Sequence, residues 1–332
     1  MNDPDRHRAS TRPMAVPEVT IHDLTNRDVT IREVGPRDGL QSEVPVDPSH
    51  RLHLAIELAM AGLSDVEAAA FVSPRAVPSM AGAEQVFAGL RALDGVQWWA
   101  LVPNRRGAEL ARAAGANALT VTMSASAEYS QKNVGMSTSG ALASLAEIAA
   151  VAGHAMVDVV VSCAFGSPFG DVADAGAVAA VVEQVRATST SAITLADTTG
   201  TATPRRIASV LRAVGGDVGL HLHDTRGTAL ANALSAMDLG VTRFDTSVGG
   251  LGGSPFAPGA GGNLATEDLV LVLEDLGVRT GVDLDVLLGI SRRLPELVGH
   301  GVPSRVSAAG RVAPFGTRPA DASCRRSGRG NS

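Results

Sequence analysis

The feature of this sequence that most constrains its fold is a regular alternation of two kinds of segment between about residues 29 and 275. Eight short runs, most of them rich in β-branched residues, predict strands at 29–34, 65–72, 96–102, 118–124, 156–164, 192–198, 218–224 and 242–248. Eight alanine- and leucine-rich segments with helical spacing lie at 48–61, 80–91, 105–114, 139–153, 174–189, 204–214, 227–239 and 266–275. Strands that alternate with helices are typical of parallel α/β folds.

Eight strand–helix units over about 250 residues predict a TIM (β/α)8 barrel. An open doubly wound sheet is the alternative, and such a sheet usually has a glycine-rich phosphate loop after its first strand. Here the first predicted strand is followed by GPRDG, which is not a G-x-G-x-x-G loop. We therefore predict an α/β TIM barrel over residues 27–300, in which residues 281–298 form one or two extra C-terminal helices.

Both ends of the chain are predicted to lie outside the barrel. Residues 1–26 contain acidic residues and prolines and lack a hydrophobic centre. This pattern predicts a disordered leader and not a secretory signal. Residues 301–332 are predicted to be a disordered C-terminal extension that ends in a basic, solvated tail. The expected organisation is one catalytic domain between two disordered segments.

Composition excludes several classes of function. The formal net charge is −6, whereas nucleic-acid-binding faces are basic, so no nucleic-acid partner is expected. No membrane partner is expected either, because the longest apolar stretch, 141–165, is interrupted by charged residues before it reaches the roughly 20 residues of a membrane helix. The two cysteines, Cys163 and Cys324, cannot form a disulfide framework, and a cytoplasmic location is expected.

Lysine chemistry is also restricted. Lys132 is the single lysine of the chain, so a Schiff-base mechanism has one candidate only. It falls in a predicted loop after the fourth strand and not at a strand end. A Schiff-base aldolase is therefore not expected.

Polar residues collect where the predicted strands end, which is where TIM barrels place their catalytic groups. The first strand leads into Arg37 and Asp38 within GPRDG, a sequence that is also ordinary turn chemistry. The seventh ends in HLHD, and because residues i and i+2 of a strand face the same way, His221 and His223 both point into the barrel. This pair predicts a metal site with Asp38 as its third ligand, since strands one and seven contribute to the same interior layers. Such ligands suit Mn, Zn, Fe or, with more oxygens, Mg.

Three further polar residues are candidates for the same site. Asp197 ends the sixth strand within LADTTG, and Glu67 lies on the second; either carboxylate could instead only pair with Arg37. Asn263 ends GGLGGSPFAPGAGGN, residues 249–263, where it either caps the following helix or offers an oxygen to a hard metal. Glycines in this stretch permit close backbone approach to a ligand, so we interpret it as a mobile lid and not as a linker.

The motifs GPRDGLQ, EAAAFVSPRAVP, HLHDTRG and SVGGLGGSPFAPGAGGNLATEDLV together resemble those of hydroxymethylglutaryl-CoA lyases, within a larger group of metal-dependent barrel lyases and synthases. The resemblance extends from about residue 27 to about residue 300, and the glycine-rich motif distinguishes these lyases from their synthase relatives. It implies a TIM barrel, a divalent cation (Mg²⁺ or Mn²⁺) and an acyl-CoA substrate. The implied reaction is cleavage of hydroxymethylglutaryl-CoA to acetoacetate and acetyl-CoA, a step of leucine and ketone-body catabolism.

The resemblance also implies roles for individual residues. The implied metal ligands are Asp38, His221, His223 and Asn263. The implied catalytic residues are Arg37, Glu67, Asp197 and Ser254. The implied substrate-binding residues are Arg37, Lys132, Asn133, Gly252 and Gly253. Within this set Arg37 would hold the thioester carbonyl as it becomes an enolate, and Asp197 is the first choice to take the hydroxyl proton.

One position departs from the family pattern. The family carries a cysteine in GLGGCP, thought to act as acid or base on the departing acetyl-CoA, whereas this chain has GLGGSP with Ser254. A thiol with a pKa of about 8.5 can donate a proton at neutral pH, and a serine hydroxyl is far less acidic. The chain could therefore be a slower lyase, a lyase or metal-dependent aldolase for a related substrate, or a non-catalytic acyl-CoA-binding barrel. A Claisen-type synthase is the nearest other enzyme, and a homodimer is left open.

Overall fold

The computed structural model describes residues 24, 26–91, 93–170, 174–188, 190–253 and 261–311 of the 332-residue chain. Its eight strands close into a parallel barrel in sequence order, and β8 pairs with β1. The strands are β1 Thr30–Glu33, β2 Asp65–Ala70, β3 Gln97–Leu101, β4 Ala118–Ser124, β5 Met156–Ser162, β6 Ala192–Ala196, β7 Gly219–His221 and β8 Arg243–Thr246. The predicted TIM barrel is confirmed.

Helices surround this barrel and continue after it. The helices of the described residues are α1 Pro48–Met60, α2 Ala83–Leu90, α3 Arg105–Ala114, α4 Ala127–Val134, α5 Thr138–Ala152, α6 Ala175–Arg186, α7 Pro204–Val214, α8 Ala229–Met237, α9 Thr266–Asp275, α10 Leu284–Ser291, α11 Leu294–Val298 and α12 Arg305–Ala309. Local sequence sets several of their starts: the Asn104 side chain caps α3, and the Thr203 side chain caps α7 by accepting a hydrogen bond from Arg206 N.

Apolar stripes hold the helices against the strands. In α7 the buried residues are Ile207, Val210, Leu211 and Val214, the i, i+3, i+4, i+7 spacing of one helix face. The inside of the barrel is different, because it buries the charged residues Arg32, Glu67, Asp158 and Asp245. Charged groups are seldom buried unless paired, so the polar interior marks the part of the barrel that carries chemistry.

The connection between β4 and α5 corrects the sequence prediction. Lys132 and Asn133 were expected in a loop, but they lie on α4. The Ser126 side chain caps this helix by accepting a hydrogen bond from Tyr129 N, and Gly135, with a φ of 67°, ends it. At eight residues, α4 is too short to show a clear periodic pattern in the sequence.

The chain after residue 300 also differs from the prediction. Helices α10 and α11 are the one or two extra helices expected over 281–298. The expectation of a disordered extension from residue 301 is wrong for residues 301–311, which include α12. Ser304 Oγ donates to Asp268 Oδ1 at 2.8 Å and Val306 is buried, so this segment is part of the domain. The basic end of the tail and most of the 1–26 leader lie outside the described residues.

Among the described residues, no single helix is both long and apolar enough to cross a membrane. Helices over Ala127–Asn133 and Thr138–Ala152 meet both criteria only when taken together, across a bend of 60°.

Candidate active site

A cavity of about 570 Å³ opens at the carboxyl ends of the barrel strands. Its described lining includes the polar residues Arg37, Asp38, His221, His223 and Asp245. It also includes the apolar residues Val72, Ala76, Val77, Leu101 and Met136. The cavity therefore brings together most of the polar residues predicted from the strand ends.

The turn after β1 presents two of these residues. Residues Gly35–Gly39 form one π-helical turn, in which Val34 O accepts hydrogen bonds from the backbone amides of Arg37, Asp38 and Gly39. Gly35 is required here, because a Cβ at this position would lie 2.6 Å from Glu33 Oε1. The turn expected from GPRDG is thus a tight scaffold that places Arg37 and Asp38 at the cavity.

The two histidines converge as the strand period predicts. Their Nε2 atoms lie 3.2 Å apart, and His221 Nε2 lies 3.9 Å from Asp38 Oδ2. His221 Nδ1 lies 3.3 Å from Asp245 Oδ2, and His223 Nδ1 lies 3.3 Å from Gly261 O. Because each Nδ1 faces an acceptor, the neutral form of each imidazole carries its proton there and directs the lone pair of Nε2 into the site.

Asn263 completes this group of candidate ligands. It forms a β-bridge with His223, and its Nδ2 donates to Asp38 Oδ2 at 2.8 Å and to Leu251 O at 3.0 Å. Its Oδ1 is buried and has no hydrogen-bond partner among the described residues. Buried amide oxygens rarely stay without a partner, so this oxygen is suited to a cation ligand.

The donor set is appropriate for a divalent metal. Ligand atoms of Asp38, His221 and His223 lie within 4.8 Å of one another, and Asn263 adds an oxygen beside them. Burial alone would raise the pKa of Asp38, but the charge of Arg37 lowers it to about 2. Burial lowers the pKa of His223 to about 4. An ionised carboxylate and a neutral imidazole are the forms that bind metals.

Arg37 is held in place by two carboxylates. Its Nε and Nη2 donate to Glu67 Oε2, and its Nη1 donates to Asp38 Oδ1. A guanidinium has five N–H donors, so two of them remain without a partner among the described residues. Glu67 is fully buried and does not belong to the described lining of the cavity. Its part in the site is to orient Arg37.

Asp197 is held by backbone amides of the turn after β6. Its Oδ1 accepts hydrogen bonds from Thr201 N at 2.8 Å and Ala202 N at 3.0 Å, and it is absent from the described lining of the cavity. Its neighbours Ala196 and Thr198 do line the cavity. Because successive residues of a strand face opposite sides, the side chain of Asp197 points away from the cavity. In this structure the expected general base anchors the turn after β6. Burial nevertheless raises its pKa to about 6.

The predicted substrate-binding residues separate into two groups. Asn133 and Gly253 line the cavity. Lys132 is outside its described lining: the ammonium group lies 3.0 Å from Glu128 Oε1 and 3.8 Å from the centre of the Phe169 ring. Gly252, with a φ of 108°, passes close to the Asn263 side chain, where a Cβ would lie 2.6 Å from Nδ2. A glycine at 252 therefore leaves room for the side chain of the candidate ligand Asn263.

The glycine-rich stretch is described at both ends only. Residues 249–253 and 261–263 of the predicted lid belong to the structure, whereas Ser254 and the rest of 254–260 lie outside the described residues. Close packing explains the glycine at 262, because a Cβ there would lie 1.6 Å from Gly250 O. The two described ends of the stretch are thus packed together beside Asn263.

Sequence reasoning missed one residue that contacts a candidate ligand. Asp245 on β8 lines the cavity and accepts from His221 Nδ1, but no role was predicted for it. The signal was present, since Asp245 is a carboxylate inside a predicted strand at 242–248. The rule that singled out Asp197 and Glu67 would have included it.

Glu33 links the two loops of the site and gives a pH-dependent prediction. Its Oε1 accepts hydrogen bonds from Gly35 N at 2.7 Å and Val248 N at 2.9 Å, and burial raises its pKa to about 7. An unfolded glutamate has a pKa of about 4.3. Between these values the native protein keeps a proton that the unfolded chain has lost. Its free energy of unfolding should therefore fall as the pH rises, by at most about 1.4 kcal/mol per pH unit.

The variant Glu33→Gln tests this prediction because it keeps the shape of the side chain and removes the titration. Urea unfolding of both proteins at pH 5, 6 and 7 gives their difference in stability, in which the other titrating groups cancel. The native protein should lose stability relative to the variant as the pH rises from 5 to 7. Parallel curves would show that Glu33 is already ionised in the folded state.

Comparison with known proteins assigns the chain to a family. A family model described as HMGL-like matches residues 28–294, which is most of the chain and the whole barrel. The chain belongs to the HMGL-like family. The hydroxymethylglutaryl-CoA lyase of Bacillus subtilis is 40% identical to this HMGL-like protein over 287 residues, which cover 84% of this chain and 96% of that enzyme.

Other relatives of this HMGL-like chain act on different acyl groups or have solved structures. The (R)-citramalyl-CoA lyase of Chloroflexus aurantiacus is 39% identical over 307 residues, covering 86% of this chain and 96% of that enzyme. A hydroxymethylglutaryl-CoA lyase from Acinetobacter baumannii, solved with coenzyme A and 3-methylmalate, superposes with a TM-score of 0.82 at 39% identity. That match covers 88% of this chain and 98% of the solved chain.

Proposed function

We propose that this protein is a divalent-metal-dependent carbon–carbon lyase that cleaves hydroxymethylglutaryl-CoA to acetoacetate and acetyl-CoA. The observation that carries the proposal is the meeting of Arg37 with the donors Asp38, His221, His223 and Asn263 at one cavity of an HMGL-like barrel. Relatives named as hydroxymethylglutaryl-CoA lyases, 40% identical over 84–85% of the chain, support the choice of substrate.

The proposed cation is Mg²⁺ or Mn²⁺, held by those four donors. When bound, it would polarise the tertiary hydroxyl of the substrate and lower the pKa of that hydroxyl. The protein contributes ionised Asp38 and two imidazoles whose Nδ1 atoms are fixed by Asp245 and Gly261. The ligands are thus oriented before a cation binds, which reduces the cost of assembling the site.

The cleavage itself needs a charge opposite the forming enolate. In this step the hydroxyl proton passes to water in the open cavity, the C–O group becomes the ketone of acetoacetate as the bond between C2 and C3 breaks, and the electron pair of that bond moves to the thioester as an enolate. The two free N–H groups of Arg37 are suited to bind that enolate oxygen, because Glu67 and Asp38 already fix the guanidinium plane. Preorganised charge of this kind stabilises a transition state more than a ground state.

The enolate carbon must then receive a proton, and this step involves the position that departs from the family. Ser254 follows Gly253, which lines the cavity. A serine hydroxyl is a poorer acid than a thiol with a pKa of about 8.5. We propose that Ser254 binds or relays through water, so that proton delivery limits the native rate.

The variant Ser254→Cys should release acetyl-CoA faster than the native protein, by about tenfold or more, because a better acid lowers the barrier of a limiting proton transfer. The measurement is the rate of acetyl-CoA formation with Mg²⁺ or Mn²⁺ present. The matched control is Ser137→Cys, an added thiol at the start of α5. An unchanged or slower Ser254→Cys protein would show that proton donation at residue 254 does not limit turnover.

A second candidate function is cleavage of a related 3-hydroxyacyl-CoA. The observations that favour it are Ser254 and the (R)-citramalyl-CoA lyase among relatives of similar identity. The apolar residues of the described lining, which include Val72, Val77 and Leu101, are also compatible with acyl groups of different size.

A substrate comparison tests both candidates. Metal-loaded protein is incubated with hydroxymethylglutaryl-CoA or citramalyl-CoA, and acetyl-CoA release is followed over the same concentration range. The proposed function requires the higher kcat/KM with hydroxymethylglutaryl-CoA. A higher value with citramalyl-CoA would transfer the assignment to the second candidate, and CoA-ester binding without any cleavage would support a non-catalytic barrel.

A further inference from the structure

A network of buried charges lies inside the barrel next to the proposed metal site. Arg32 on β1 is only 7% exposed, and its guanidinium is inside the ring of strands. Its Nε donates to Asp245 Oδ1 and its Nη2 donates to Asp245 Oδ2, both at 2.8 Å. Its Nη1 lies 2.7 Å from Asp158 Oδ2. All three guanidinium nitrogens therefore engage carboxylates from two other strands.

The aromatic ring of Trp99 fixes the same guanidinium from a third strand. Arg32 Cζ lies 4.8 Å from the centre of that ring. A guanidinium beside an aromatic ring has a favourable cation–π interaction, and it loses little freedom on forming further hydrogen bonds. Arg32 is thus held in one orientation by β3, β5 and β8.

This orientation is passed to a candidate metal ligand. Both oxygens of Asp245 accept hydrogen bonds from Arg32. Asp245 Oδ2 also accepts a hydrogen bond from His221 Nδ1, at 3.3 Å. A carboxylate held at two points cannot rotate about its own axis, so Oδ2 stays directed at the imidazole. On the far side of the ring, His221 Nε2 faces Asp38 and His223.

We propose that Arg32 is a positioning residue of the metal site, which acts by holding Asp245 in the orientation that fixes the ring and the tautomer of His221. The inference rests on the proposed metal site. Among the described residues, Arg32 forms no hydrogen bond or ion pair with a candidate ligand, and Asp245 is its one such partner in the cavity lining. Its effect on the cation passes through that one carboxylate.

The structure contains a matched control for this role. Asp158 is as deeply buried as Asp245 and pairs with the same guanidinium, but its other hydrogen bond comes from Thr194 Oγ1 and not from a candidate ligand. Removing the charge of either aspartate disturbs a buried ion pair and should lower stability. Only the loss of the Asp245 arrangement should also weaken metal binding.

The experiment measures the dissociation constant of Mn²⁺ by calorimetric titration of metal-free full-length protein. The proteins compared are native, Arg32→Lys, Asp245→Asn and Asp158→Asn. Lysine keeps the charge of Arg32 but cannot grip both oxygens of Asp245. We expect weaker Mn²⁺ binding by about tenfold in Arg32→Lys and about 10- to 100-fold in Asp245→Asn, the range found when residues that orient metal ligands are changed. Asp158→Asn should change the constant by less than about twofold.

The ¹⁵N chemical shifts of His221 supply a reading that a stability effect would not change. In metal-free native protein they should show a proton on Nδ1, and in Arg32→Lys a mixture of the two tautomers. Circular dichroism checks that each variant folds at the temperature of the titration. If Arg32→Lys does not fold, Arg32→Gln, which keeps hydrogen-bond donors without the charge, replaces it.

The outcomes separate the two proposals. If native protein does not bind Mn²⁺, the proposed metal site fails and the role of Arg32 fails with it. If native protein binds Mn²⁺ while Arg32→Lys binds equally well with unchanged His221 shifts, only the role of Arg32 is overturned. Equal weakening in Asp158→Asn and Arg32→Lys would also overturn it, because a general loss of stability would explain both.

Discussion

Arg37→Lys is expected to lower the rate of acetyl-CoA release by about 10²- to 10³-fold, the range seen when a transition-state donor is removed. The lysine keeps a positive charge beside Glu67 and Asp38, so the buried carboxylates remain paired. The guanidinium of Arg37 binds both carboxylates and has two further N–H groups for an enolate oxygen. A lysine lacks this planar group and cannot do both. Steady-state kinetics with metal-loaded protein measures the loss, which should fall mainly on kcat.

The matched control for this prediction is Arg206→Lys. Arg206 lies at the same end of the barrel but donates to Phe165 O and Thr201 O. It should change kcat by less than about threefold, whereas similar losses in both variants would mean that arginine packing, and not contact with the substrate, sets the rate. A change confined to KM in Arg37→Lys would show that Arg37 binds the ground state and the transition state equally well.

His223→Ala is expected to weaken Mn²⁺ binding by at least about 100-fold, which exceeds the effect of losing a residue that only orients a ligand. The variant removes an imidazole whose Nε2 lies 3.2 Å from that of His221 and leaves Asp38, His221 and Asn263 as donors. Turnover at a fixed, low Mn²⁺ concentration should fall in proportion to occupancy. Titration with Mn²⁺ and kinetics at several metal concentrations provide the two readings.

His300→Ala is the control for the histidine prediction. His300 is about half exposed, with Nε2 2.8 Å from Glu43 Oε2, and it contacts none of the four candidate ligands in the described structure. Its loss should leave the Mn²⁺ dissociation constant unchanged within about twofold. Retention of tight Mn²⁺ binding by His223→Ala would remove His223 from the ligand set and contradict the proposed site.

The barrel and most of the metal site could be predicted from the sequence because both depend on simple periods. Eight strands separated by helices fit one closed architecture, and the predicted helices at 105–114, 204–214 and 266–275 match the structure to the residue. The spacing of His221 and His223 placed both rings on the inner face without knowledge of any contact. Asp38 followed from the position of its loop at the same end of the barrel.

A carboxylate in a predicted strand marks a candidate site residue, but whether it points into the cavity depends on strand register and not on residue type. Asp197 is a carboxylate at a strand end, but its neighbours Ala196 and Thr198 take the inward positions. Asp245 points into the barrel, but it was not predicted as a site residue. The short helix that carries Lys132 and Asn133 depends on the Ser126 cap and on Gly135, two local signals without a periodic stretch between them.

A single stoichiometry measurement on the native protein tests the proposed metal-dependent cleavage. Chelator-treated protein is supplied with hydroxymethylglutaryl-CoA before and after addition of Mg²⁺ or Mn²⁺, and acetoacetate and acetyl-CoA are both quantified. Negligible product is expected before the metal is added, and equal amounts of the two products are expected afterwards. Equal product with and without metal, or no product from fully folded, metal-loaded protein, would contradict the proposed cleavage.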